Sequence, residues 1–242
     1  AAAAAAADME ACLGRLRRRR ALEEAARRCV GDAALGAHDE FGEQMRKMVR
    51  VLRRLGHVDN ENVVQLKGRA AAEVDASDEL LVAELMLTGA FNELSPAAAV
   101  TLCSCLITAD MEKVKRTQPA PPELLKPFAE LQAAARRLAS VYNDALIETD
   151  EDAFAQRFDG GLMAAVHAWC GGASFSTLCE MCDLFEGSII RAFRRLSELL
   201  DELKTAAKAI GNDELYHKLK TGAELIQRDI IFANSLYLED PS

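Results

Sequence analysis

The sequence predicts a mainly α fold, a multi-helix bundle preceded by a small α/β segment. Three observations lead there. Apolar residues recur three and four apart over long stretches, the period of an amphipathic helix. Hydrophobic residues make up 50% of the chain but aromatics only 5%, and Ala and Leu, both strong helix formers, dominate. Ser, Asp, Pro and Gly stand where such helices would start and stop.

Residues 1–40 differ from the rest. Seven alanines lead into Arg15, Arg17, Arg18, Arg19 and Arg20, which favours an exposed helix ended by Cys29-Val30-Gly31 and Gly36. Two readings stay open for it: a solvated helix or loose end, and a basic nuclear-localisation or RNA-contacting patch. From Phe41 to Leu55, Met45, Met48, Leu52 and Leu55 mark a helix that Gly56 closes. Residues 57–62 read as a turn around Asp59-Asn60. Val63–Leu66 and Arg69–Val74 read as extended pieces on either side of Lys67-Gly68, a small hairpin or wing. Asp75 or Ser77 is expected to cap the next helix, which runs to Thr88 and stops at Gly89. Ser95-Pro96 opens a helix carrying Val100, Cys103, Leu106 and Ile107.

Gln118 to Pro122 is a Pro-rich linker. Leu124, Phe128, Leu131, Ala135, Leu138 and Tyr142 then form a nearly unbroken apolar stripe. Asp150 starts a helix with Phe154 and Phe158 one turn apart, and Met163, Val166 and Trp169-Cys170 make another that Gly171-Gly172 breaks. Phe175 to Cys182, a turn at Asp183-Leu184-Phe185, and a helix opened by Glu186-Gly187-Ser188 have the outline of a helix-turn-helix. That last helix runs from Glu186 to Ile210 with Ile189, Ile190, Phe193, Leu196, Leu200, Leu203 and Ala207 on one side, and Gly211-Asn212 ends it. Leu215 to Leu236 is the final helix, with Leu219, Ile226, Ile230 and Ala233 inward. The bundle therefore counts roughly seven helices.

The formal net charge is −9; residues 1–30 hold seven Arg against four acids, so the remainder carries −12. An acidic body argues against general adhesion to nucleic acid, and any such contact must come from a local basic patch. Seven Cys, mostly inside apolar helical patterns, fit a reducing intracellular compartment better than a disulfide framework. No apolar run approaches the ~20 residues that span a bilayer, so no membrane partner is expected. A first residue of Ala1 leads to the expectation of a fragment or a processed product.

No phosphate-binding glycine loop, G-x-S-x-G, H-E-x-x-H or G-x-G-x-x-G is present, and His38, His57, His167 and His217 have no matched nucleophile. No catalytic residue is assigned. His167, Cys170, Cys179 and Cys182 have a spacing that four zinc ligands could use, but Cys179 and Cys182 fit equally the inward face of a short helix beside Phe175 and Leu178, and core packing is the preferred reading. Arg191, Arg194, Arg195 and Glu198 lie three and four apart on one face of their helix, opposite Ile190, Phe193 and Leu200. Such a face can grip a phosphate backbone or stack on bases; the alternative is a solvated face held by an Arg–Glu pair.

The stretches WCGGASF at 169–175, EGSIIRAFRRL at 186–196, AIGN at 209–212 and RDIIFANSLYL at 228–238 resemble the DSHCT domain, the C-terminal helical domain of superkiller-type DExH-box RNA helicases that serve the RNA exosome. VLRRLGHVD at 51–59, VVQLKGR at 63–69 and DELL at 78–81 resemble the segment before it, which in that family completes a winged-helix domain after an inserted arch. The resemblance covers roughly residues 43–238, and CDLFEGSIIRAFRRL is most similar to the nuclear exosome-cofactor branch. GRAAAEV at 68–74 departs from the family's more usual GRVACEI, and the chain continues past the usual Leu-Tyr-Leu ending to Ser242.

The resemblance implies a division into an arch-stalk remnant at 1–40, the C-terminal part of a winged-helix-like segment at 41–76, and the DSHCT bundle at 77–242. It implies a role closing the RNA channel of an ATP-dependent 3′-to-5′ RNA helicase that feeds the exosome. The helix from Glu186 to about Leu203 is then the ratchet helix, and Arg191, Arg195 and Glu198 match RNA-facing positions, with Arg194 beside them and Asp110 at another acidic channel position. Expected partners are single-stranded RNA, the RecA domains of the same helicase, the RNA exosome and adaptor proteins, in the nucleus. No cofactor is expected in this chain: ATP and Mg belong to the RecA domains, whose motifs it lacks, so it should neither hydrolyse ATP nor unwind RNA alone. The alternatives are a helix-turn-helix DNA-binding protein, which the acidic body disfavours, and a purely structural protein-interaction bundle.

Overall fold

The computed structural model describes residues 19, 20, 22, 24, 41–107, 119–182 and 184–232. Two units divide the chain, Ala1–Met48 and Val49–Ser242. Helix α1 covers 41–54 and carries the boundary between them. In the first unit, Phe41, Met45 and Met48 are exposed.

The second unit is α-helical. Helix α1 ends at Gly56, whose φ of 75° lets the Gly56 N–H bond the Arg53 carbonyl and the His57 N–H bond the Leu52 carbonyl, a Schellman closure. Helices α2 (Leu66–Ala71), α3 (Glu79–Leu87), α4 (Pro96–Ile107) and α5 (Leu125–Asp144) follow, the last preceded by a 3-10 turn over Pro122–Leu124. Then come α6 (Glu151–Gln156), α7 (Met163–Cys170), α8 (Phe175–Met181), α9 (Glu186–Ala209), α10 (Asp213–Ile226) and a 3-10 turn over Asp229–Ile231. No helix among the described residues is long and apolar enough to cross a membrane.

Side-chain caps set several starts: Asp150, as the sequence suggests, accepts from the Asp152 and Ala153 N–H groups, and Ser174 and Asn212 accept from the Thr177 and Leu215 N–H groups. Helix α9 buries Ile189, Phe193, Leu196, Leu199, Leu200 and Leu203 against α10, α4 and α2. Phe193 meets Trp169 of α7 edge to face at 5.7 Å between ring centres, and the Trp169 indole N–H donates to the Ile226 carbonyl at 3.0 Å.

Three local expectations are corrected. The hairpin around Lys67-Gly68 does not form: helix α2 takes in Leu66, the expected turn and the first half of the second extended piece, and pairing among the described residues reduces to an isolated antiparallel bridge between Val58 and Val64. Burial of Ala70 and Ala71, together with the Lys67–Glu84 ion pair to α3, outweighs the extended reading. The cap of α3 is Asp78, which accepts from the Leu81 N–H at 2.9 Å; Ser77 instead donates to the Leu106 carbonyl, and the Asp75 N–H goes to Glu202. The last helix stops at Ile226. Arg228 turns back to donate to the Trp169 and Ala173 carbonyls and stacks 3.6 Å above the Trp169 ring, and Asp229 takes a φ of 60°, which no helix continues. Ala233 and Leu236, assigned to that helix, lie outside the described residues.

Candidate nucleic-acid interface

The polar side of α9 follows from its own period. Residues 191, 194, 198, 201, 205 and 208 are exposed at spacings of three and four, because the opposite stripe is buried in the core. Near its N-terminal half this side faces the segment joining α2 to α3. Together they line an open groove of about 430 Å³ formed by Asp75, Ala76, Arg191, Arg194, Arg195, Glu198 and Glu202.

The three arginines are held differently. Arg191 is exposed and donates to the Ser188 hydroxyl on its own helix at 3.1 Å. Arg194 is exposed, and its Nε donates to the Ile231 carbonyl at 3.0 Å, fastening the C-terminal 3-10 turn. Arg195 is half-buried; its Nε and Nη2 donate to the Ala76 carbonyl at 3.4 and 3.2 Å. Glu198 is exposed within the groove. One oxygen of Glu202 accepts from the Asp75 and Ala76 N–H groups at 3.0 and 2.9 Å. Three guanidiniums thus share the lining with three carboxylates, a formally neutral balance.

Four of the five residues singled out from the sequence, Arg191, Arg194, Arg195 and Glu198, therefore meet in one groove. Asp110 lies outside the described residues. Sequence reasoning missed Glu202, Asp75 and Ala76. Glu202 was within reach, since it extends the 191, 195, 198 spacing by one further step; the other two come from a distant segment that only packing brings there.

His167 and Cys170 lie on α7 and Cys179 on α8, with Cys182 at the C-terminal end of α8. No group of three or more His, Cys, Asp or Glu among the described residues is placed to hold a metal ion. Cys182 is buried, and burial pushes the Cys170 and Cys182 thiols up to about 11 and raises Cys179 as well, against the thiolate that zinc requires.

Fold and groove together define a class: an α-helical bundle that turns the polar side of one long amphipathic helix onto an open groove. The profile of the DSHCT (NUC185) domain matches residues 61–233. Exosome RNA helicase MTR4 of Homo sapiens is 44% identical over 198 residues, covering 81% of this chain and 19% of that protein. DExH-box ATP-dependent RNA helicase DExH10 of Arabidopsis thaliana is 42% identical over 202 residues, covering 82% and 20%. ATP-dependent RNA helicase mtr4 of Schizosaccharomyces pombe is 42% identical over 196 residues, covering 81% and 18%. The chain belongs to the DSHCT domain family. It spans about a fifth of the length of these relatives.

Proposed function

We propose that this chain closes the RNA channel of an ATP-dependent 3′-to-5′ RNA helicase that feeds RNA to the exosome for processing and degradation, with α9 as the ratchet helix touching the threaded strand. The observation that carries the reading is the groove along α9, where three guanidiniums share the lining with three carboxylates. Planar guanidiniums stack on bases or fork to phosphates, and carboxylates accept from base amino groups or ribose hydroxyls. A balanced lining gives little Coulomb grip, which suits a strand that must slide. The names of the relatives, exosome and DExH-box RNA helicases, support the same assignment.

In this reading residues 41–76 complete a winged-helix segment, 77–242 form the DSHCT bundle, and 1–40 are an arch-stalk remnant. The RecA domains of the same helicase, the exosome and its adaptors are the protein partners, and the nucleus is the compartment. ATP and Mg²⁺ belong to the RecA domains. The residues here do not fit them: the sequence has no phosphate loop, and no step of ATP chemistry is assigned to it.

Fluorescence anisotropy with a labelled single-stranded oligouridylate, and with duplex DNA in parallel, tests the proposal. The expected result is weak binding to the RNA, with a slope of log K against log salt no steeper than about −2, the limit for three arginine–phosphate contacts. Arg191→Ala should weaken that binding about threefold to tenfold without moving the melting temperature. In a helicase carrying this chain, Arg195→Ala should lower RNA-stimulated unwinding; wild-type unwinding there would remove the arginine face from the mechanism. Preference for duplex DNA would favour a helix-turn-helix reader, and binding to neither would leave a protein-interaction bundle.

A further inference from the structure

Glu202 stands in the candidate groove as a carboxylate beside a path proposed for a polyanion. By charge alone it opposes binding. Its hydrogen bonds suggest a different job. A single oxygen, Oε2, accepts from two successive backbone N–H groups, those of Asp75 and Ala76. The carbonyl of Ala76 in turn accepts both the Nε and the Nη2 of Arg195. Residues 195 and 202 are two helical turns apart, about 10 Å along the axis and on the same side of α9. They therefore grip one short piece of backbone from two points.

That backbone is restrained from its other end too. Ser77 donates to the Leu106 carbonyl at the end of α4, and Asp78 caps α3. Ala76 itself is buried. Without the Glu202 acceptor, the N–H groups of Asp75 and Ala76 would lose their partner, and Ala76, whose carbonyl lies in the next peptide unit, would be held less firmly. Both the Nε and the Nη2 of Arg195 are aimed at that carbonyl, so a shift of the carbonyl bears directly on the guanidinium.

Resting on the RNA reading above, we propose that Glu202 is a positioning residue: by holding the backbone at Asp75 and Ala76 it keeps the Arg195 guanidinium placed toward the strand. Charge and positioning predict opposite signs when Glu202 is removed, which makes the assignment testable. One oxygen accepts both N–H groups, so a neutral amide oxygen can replace it.

The measurement is the dissociation constant of the full 242-residue chain for a labelled single-stranded oligouridylate, with melting temperatures taken alongside. Glu202→Gln keeps the acceptor and discards the charge; it should bind as tightly as the parent or more tightly. Glu202→Ala discards both, and should bind about fivefold to tenfold more weakly, as for the net loss of one ordinary hydrogen bond. Adding Glu202→Ala to Arg195→Ala should weaken binding no further, whereas adding it to Arg191→Ala should be additive. Ala binding as tightly as Gln, or additivity with Arg195→Ala, overturns the positioning role. Should the Ala variant fail to fold, Glu202→Asp keeps the charge and retracts the acceptor by one methylene; it should bind more weakly than the parent, and equal binding overturns the role. If neither Arg191→Ala nor Arg195→Ala alters RNA binding, the RNA reading itself fails and this one with it. If both weaken binding and Glu202→Ala does not, only the positioning role is lost.

Discussion

At the scale of single residues, His57 shows how neighbours decide chemistry. Its ring is 2% exposed, and neither nitrogen has a hydrogen-bond partner among the described residues. Burial lowers its pKa from 6.5 to about 4; the Lys67 ammonium adds to the shift and Glu84 works against it. The folded pKa lies below the unfolded one, so between these values the unfolded chain holds the proton more tightly. Stability is therefore full above about pH 6.5 and falls as pH drops toward 4, by on the order of 3 kcal/mol. Melting temperatures across that range should show the slope in the parent and a flatter one in His57→Gln; an unchanged slope would place the acid sensitivity elsewhere. The pattern of apolar residues did not mark His57, because nothing in its local sequence says that a helix end and α2 enclose it.

At the scale of elements, most helices were legible, and so were the ends that a local residue sets, such as Gly56 after α1 and Asp150 before α6; ends set by distant partners were not. Periodicity found α5 and α9 because each needs only its own stripe. The end of α10 depends on Arg228 reaching Trp169 and Ala173, more than fifty residues away in sequence. Gly222, inside α10, is another case. Helix propensity alone predicts that Gly222→Ala would stabilise by about 1 kcal/mol. A β-carbon there would overlap the Val100 side chain and stand 3.1 Å from the Pro96 carbonyl oxygen, both on α4. Backbone cannot yield as a side-chain tip can, so the overlap should win and the variant should lose about 1–3 kcal/mol in urea denaturation. A stabilised variant would show that α10 and α4 can part without cost.

At the scale of the whole molecule, the buried apolar residues of the second unit form one continuous cluster from Val51 to Ile231. The chain's single tryptophan, Trp169, is fully buried within it. Tryptophan fluorescence and far-UV ellipticity should therefore report one shared midpoint on denaturation. Phe193 packs on that indole and is 1% exposed, so Phe193→Ala should shift both curves together by about 3–5 kcal/mol. Curves that separate would mean that α9 and α7 do not unfold as one body.

The mainly α architecture, the long amphipathic α9, and the clustering of Arg191, Arg194, Arg195 and Glu198 on one side of it were determined by the sequence alone. Each depends on residues within a few turns of one another, and helical period is local information. Tertiary structure decided that residues 66–71 are helix, that α10 stops at Ile226, and that Asp75, Ala76 and Glu202 join the arginines in the groove. Those outcomes rest on hydrogen bonds and packing between segments up to 127 residues apart, where no local pattern records which partner will arrive.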